Sequence, residues 1–380
     1  MIKPSAFIAL LKQYNIDFFT GVPDSQLKEL CDYITDVYGI GESHIIAPNE
    51  GNAVALGAGH YLATKKISMI YMQNSGLGNA VNPITSLTDQ RVYAIPMLYV
   101  VGFRGMPSVP DEPQHIKQGA ITLELLKVLG IDYATIGKKS TIEELEDLFK
   151  TNISHKFIRG ESFALVAEKN AFEKESSYHF SSKNDLSREQ ALQVIINHSE
   201  EDAVLVSTTG KLSRELYEQR EIREEGHQKD FLTVGSMGHA SMIALKIALD
   251  KPKRKVYCLD GDGALLMHMG AMALIGSCKP KNLMHIVINN ATYESVGGYP
   301  TVISHIDIQR LALALGYDKA IKVDNEEDLA KTLKVLSREG ENVLLEVGVN
   351  TSSRSDLGRP KTTPIQNREE FMTYLSEAGE

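Results

Sequence analysis

Only three of the 380 residues are cysteine. Cys31, Cys258 and Cys278 share no CxxC spacing and lie in apolar or helical surroundings, which suggests neither a zinc knuckle nor a disulfide framework. No apolar run approaches the roughly 20 residues that a helix needs to cross a bilayer, and Gln13, Asn15 and Asp17 interrupt any signal-like core near the N-terminus. The chain therefore reads as cytoplasmic. Positive charge is also scarce, with 40 Lys and Arg against 49 Asp and Glu and a formal net charge of −9. That balance argues against a nucleic-acid binder, and it requires any anionic ligand to meet a locally built positive site. Missing too is a GxGxxG fingerprint after the first apolar strand, where Gly21-Val22-Pro23-Asp24-Ser25 stands instead. A non-catalytic nucleotide-binding α/β protein is thus a weaker reading than an enzyme.

What is present is a globular balance of 43% hydrophobic and 23% charged residues, in a chain long enough for two domains. Continuous apolar runs at 18–20, 44–46, 68–72, 95–101 and 162–167 alternate with helical patterns. A second series follows at 203–207, 255–259, 283–288 and 342–347. Such runs are strands buried on both faces. The fold class expected is α/β, two doubly wound parallel-sheet domains over 1–170 and 186–380, joined by a polar, serine-rich linker over 171–185 with no middle domain.

In sheets of this kind ligands sit beyond the carboxyl ends of the strands. Leu259-Asp260 is expected to end a strand, Gly261-Asp262-Gly263 to turn, and Ala264 to Ile275 to form a helix. Glycines let a phosphate approach the backbone, the helix start offers N–H groups, and Asp262 can hold a bridging cation. The next strand ends in Asn289-Asn290, and Asn290 lies 28 positions after Asp262. Either motif alone is a common turn. Together they place a carboxylate and an amide oxygen at neighbouring strand ends. Far upstream, Glu50 opens a helix of Ala, Gly, Val and Leu running to Thr64. An acid at the start of a buried helix needs a partner.

GDG, a spacer of this length and NN resemble the fingerprint of the thiamine diphosphate-dependent 2-oxo acid decarboxylases, and the resemblance covers nearly the whole chain. It implies magnesium ligated by Asp262, Asn290 and the main-chain carbonyl of Thr292. Thr209, Gly210, Gly235, Met237, Gly261, Asp262, Gly263, Ala264 and Asn290 are the cofactor-binding set it implies in the second domain. Met237 would prop the bent cofactor, and the carbonyl of Gly235 would meet its 4′-amino group. Glu50 would shuttle a proton at the pyrimidine nitrogen N1′. Many members have glycine soon after the asparagine pair, where this chain has Ala291-Thr292. Because Glu50 and Asp262 fall in different domains, the resemblance also implies a homodimer or larger homo-oligomer with active sites between subunits.

Long segments (20–25, 111–119, 207–216 and 295–301) are similar to the members of that family that act on 3-phosphonopyruvate in phosphonate biosynthesis, releasing phosphonoacetaldehyde and carbon dioxide. The sulfonate analogue, sulfopyruvate, is the nearest alternative substrate. A carboligase is disfavoured because no flavin-binding middle domain fits. The expected substrate-binding residues are Asp24, Ser25, Ser75 and Gly76 at strand-to-helix turns, with His115, Lys117, Lys211 and Arg214 as cations. Asp24 or His115 is the candidate for protonating the carbon left when carbon dioxide departs. The residues do not choose between them.

Overall fold

Strands form where large apolar and β-branched residues run without interruption, because a strand covered on both faces has no polar side. In the computed structural model, which describes residues 1–336 and 340–377, such runs build two units. The first takes in Met1–His179 and Tyr293–Tyr299, and the second Phe180–Thr292 and the chain from Pro300.

In the first unit, β1 (Phe18–Gly21), β2 (His44–Ile46), β3 (Ser68–Gln73), β4 (Met97–Gly102), β5 (Asp132–Ile136) and β6 (Phe163–Ala167) form one parallel sheet. Their order is β2-β1-β3-β4-β6-β5. Every residue of β4 and β6 is buried. The order reverses around β1, so the crevice where a ligand fits opens at the carboxyl ends of β1 and β3.

The second unit carries β7 (Val204–Ser207), β8 (Asp230–Leu232), β9 (Val256–Gly261) and β10 (Leu283–Asn289). After it the chain makes a two-stranded ladder of β11 (Thr292–Tyr293) with β12 (Tyr299–Pro300), and the second unit resumes with β13 (Lys319–Val323) and β14 (Val343–Gly348). Its parallel sheet runs β13-β14-β10-β9-β7-β8. Leu205, Leu259, Ile286 and Leu345 enter the core on one face, and Val206, Cys258, Val287 and Leu344 on the other. This is the two-residue alternation of strands sandwiched between helices. Here the order reverses between β7 and β9. Both units are doubly wound parallel α/β folds.

Three strands depart from the expectation. β5, β8 and β13 are sheet edges, and β5 and β13 are largely uncovered, so Asp132-Tyr133-Ala134-Thr135-Ile136 and Lys319-Ala320-Ile321-Lys322-Val323 show no continuous apolar run. The GDG segment also differs. β9 continues through Gly261, the helix begins at Asp262, and it breaks after Met267 before a second helix, Gly270–Cys278. Ala171 and Phe172 are buried, Phe172 lying 5.5 Å from the ring of Phe7. Residues 173–187 carry no helix or strand. Among the described residues no helix is long and apolar enough to cross a membrane.

Candidate active site

In the second unit, Asp262 is 3% exposed, and burial pushes its carboxyl up to about 7 against the opposing bond from Thr301. Thr301 Oγ1 donates to Asp262 Oδ2 at 2.6 Å, and Thr301 N donates to the carbonyl of Ala291 at 2.9 Å. One threonine therefore ties the aspartate to the loop after the asparagine pair. The two asparagines divide their work. Asn289 Nδ2 donates to Glu346 Oε1 on β14 (2.8 Å) and its oxygen accepts from Ala291 N (2.9 Å). Asn290 Oδ1 accepts from Thr292 N (3.0 Å) and Thr292 Oγ1 (3.1 Å). Ala291 sits at φ 59°, a left-handed conformation in which a side chain costs roughly 1–2 kcal/mol.

Around this point the second unit gathers further residues, most of them expected from the sequence. Thr208, after β7, is buried, and its Oγ1 has no hydrogen-bond partner among the described residues. A Cβ on Gly261 would stand 3.7 Å from the Thr208 methyl. Thr209 and Gly210 lead into the helix Lys211–Ile222, with Gly210 at φ 98°. The loop Gly235-Ser236-Met237-Gly238 precedes the helix Ala240–Asp250. A Cβ on Gly238 would lie 2.8 Å from the carbonyl of Ala264, so this loop is seated on the helix that begins at Asp262. A buried carboxylate costly to ionise, an amide oxygen at the adjacent strand end and an orphan hydroxyl make a set of hard oxygen donors. That set suits magnesium and a polar ligand.

In the first unit, Glu50 opens the helix Glu50–Thr64 behind its N-cap Asn49, whose side chain accepts from Asn52 N. Glu50 is 5% exposed. Burial pushes its pKa up, while the bond from Asn79 Nδ2 to Oε2 (2.8 Å) pulls it down. Gly76 lies directly against this carboxyl, since a Cβ there would be 2.3 Å from Glu50 Oε1. Gly76 was expected to help cradle a substrate anion, and a carboxyl at that distance disfavours one. Glu50, Gly76 and Asn79 instead form one acid site.

Asp24, after β1, is fully buried, and burial raises its pKa. It accepts from Gln73 Nε2 at 2.6 Å and from Gln26 N at 3.2 Å. A Cβ on Gly102 would fall 1.9 Å from Asp24 Oδ2. Ser75 is exposed and donates to Gln73 Oε1. Beside Asp24 the ends of β1, β3 and β4 converge on a residue not anticipated from the sequence, Arg104. It bonds Ser25 Oγ (3.2 Å) and Asp111 (Nε to Oδ2, 2.9 Å). His115 is half-buried and Lys117 exposed in the first turns of the helix Pro113–Val128. Lys211 and Arg214 lie in the second unit. Lys211 donates to Ser353 Oγ (2.7 Å), and Arg214 donates to the carbonyls of Leu357 and Gly358. Sequence reasoning therefore missed Arg104, Asn79, Thr208 and Thr301. Only Arg104 had a local signal, the acidic Asp111 seven residues on.

Residues 4–122 match the N-terminal TPP binding domain of the thiamine pyrophosphate enzymes, and residues 208–347 match the C-terminal TPP binding domain. The chain belongs to the thiamine pyrophosphate enzyme family. It is 31% identical over 392 residues to the phosphonopyruvate decarboxylase of Streptomyces viridochromogenes, covering 99% of this chain and 96% of that protein. It is 30% identical over 394 residues to the phosphonopyruvate decarboxylase of Streptomyces hygroscopicus, covering 99% and 95%. The sulfopyruvate decarboxylase of Methanosarcina acetivorans is 27% identical over 347 residues, covering 86% of each chain.

Proposed function

We propose that this chain decarboxylates 3-phosphonopyruvate to phosphonoacetaldehyde and carbon dioxide, with thiamine diphosphate and magnesium bound. The observation that carries the cofactor chemistry is Glu50, an acid buried at a helix start, raised in pKa and covered by Gly76. Near full-length similarity to two phosphonopyruvate decarboxylases supports the substrate. When bound, thiamine diphosphate supplies a carbon nucleophile and a sink for the electrons left by departing carbon dioxide.

The protein's own residues do the rest. Asp262 and the side-chain oxygen of Asn290 hold magnesium together with the carbonyl of Thr292. Thr208, Thr209, Gly210 and the start of the helix at Asp262 receive the diphosphate. Met237 and Gly235 support the pyrimidine ring, and Glu50 holds a proton at N1′. His115 rather than Asp24 returns a proton to the product carbon. It is half-exposed, whereas Asp24 is sealed beneath Gln73 and Gly102. Since the chemistry needs Glu50 and Asp262 at one cofactor, a homo-oligomer in which two copies contribute them is part of this proposal.

Specificity constants for 3-phosphonopyruvate, sulfopyruvate and pyruvate test the reading, with both cofactors supplied and then with chelator. Phosphonopyruvate is expected to lead sulfopyruvate and to exceed pyruvate by tenfold or more, about one charge-assisted hydrogen bond's worth. Chelation is expected to abolish all turnover. Equal handling of pyruvate would overturn the substrate; full activity after chelation would overturn the metal.

A further inference from the structure

In the first unit, the strand-end cluster fixes one guanidinium unusually firmly. Arg104 follows β4, its side chain 19% exposed, and Asp111 beside it is 13% exposed. Asp111 accepts from Arg104 Nε and Nη2 and also from the main-chain N–H groups of Gly105 (2.7 Å) and Glu112 (2.8 Å). Both carboxylate oxygens are thus shared between the fork and the loop, and Asp111 cannot swing away alone. The backbone of Arg104 is pinned as well. Its N–H donates to Asn74 Oδ1 (3.2 Å) and its carbonyl accepts from Asn74 Nδ2 (2.8 Å).

Each terminal nitrogen of a guanidinium carries two hydrogens. On Nη2 one goes to Asp111, and on Nη1 one goes to Ser25. The second hydrogen on each has no partner among the described residues. They are donors of known direction, at the carboxyl ends of β1 and β4, beside a serine hydroxyl. We propose that Arg104 is the specificity-determining residue for the anionic group on C3 of the substrate, with Ser25 beside it and Asp111 positioning its guanidinium. This rests on the decarboxylase reading above. Because Asp111 neutralises the arginine, recognition comes from directed hydrogen bonds more than from net charge. Such bonds separate a phosphonate, rich in acceptors, from the methyl group of pyruvate, which has none. The cations expected from the sequence are placed less well. Lys117 is exposed, and Lys211 and Arg214 donate to Ser353, Leu357 and Gly358.

The test compares wild type, Arg104→Gln and Arg104→Lys on 3-phosphonopyruvate and on pyruvate, with thiamine diphosphate and magnesium saturating. Arg104→Gln is expected to raise KM for phosphonopyruvate about ten- to a hundredfold with a much smaller change in kcat, and to lower the phosphonopyruvate-to-pyruvate ratio of specificity constants by a similar factor. Arg104→Lys keeps the charge without the fork and is expected to fall between; it carries the test if the glutamine variant does not fold. An unchanged ratio, or equal loss on both substrates, overturns the role of Arg104 while leaving the decarboxylase reading intact. Wild type inactive on phosphonopyruvate overturns that reading itself.

Discussion

Two influences oppose each other on a carboxyl at the first turn of a buried helix. The helix start favours the anion, and removal from water favours the acid. For Glu50 burial wins and its pKa is raised. The sign for stability follows. Between the ordinary carboxyl range and the raised value the folded chain holds a proton that the unfolded chain has released, so stability is lost as pH rises through that window. Glu50→Gln removes the penalty. The cofactor-free variant is expected to melt above wild type at pH 8, with the difference closing near pH 4, while turnover falls about 10²- to 10⁴-fold. A difference in melting that ignores pH would contradict a buried, raised acid. Glu50 was legible because an acid heading an apolar helix is conspicuous. Asn79 and Thr301 were not, because each is a single polar residue whose partner is remote in sequence, and the one local cue to Arg104 was Asp111 seven residues on. Thr301 meets Asp262 across 39 positions and Arg104 meets Ser25 across 79.

At the level of elements, the fold was readable wherever burial leaves a trace in the sequence. β2 has the limits expected from its apolar run, and β4 and β6 begin or end within two residues of theirs. The edge strands β5 and β13 left no such trace because most of their side chains are only partly covered. The break after Met267 was hidden too, since Ala264 to Ile275 is apolar throughout. The loop after β4 depends on close approach. Gly105 has φ 66°, and a Cβ there would sit 1.9 Å from the carbonyl of His115. Gly105→Ala is therefore expected to destabilise the protein by about 1–3 kcal/mol, and to raise KM for phosphonopyruvate by displacing Arg104. Chemical denaturation with parallel kinetics checks both. A variant with wild-type stability and KM would show that the loop accommodates a side chain.

For the whole molecule, the family model of the N-terminal TPP binding domain covers the half with Glu50, and that of the C-terminal domain covers the half with Asp262. That division was legible because GDG, the asparagine pair and Glu50 are short motifs at strand ends. The proposed homo-oligomer was implied only by the resemblance, because a pairing of copies depends on surfaces that no local pattern marks. The central claim is that these two halves act on one cofactor to release carbon dioxide. Its most direct measurement follows carbon dioxide release from 3-phosphonopyruvate by Glu50→Gln and Asp262→Ala, each alone and then mixed under conditions of demonstrated subunit exchange, with thiamine diphosphate and magnesium present. Each variant alone is expected to be nearly inactive. The mixture is expected to recover roughly a quarter of wild-type activity, as random pairing of copies in a symmetric dimer gives. Wild-type release by either variant alone, or no recovery despite exchange, would contradict the account.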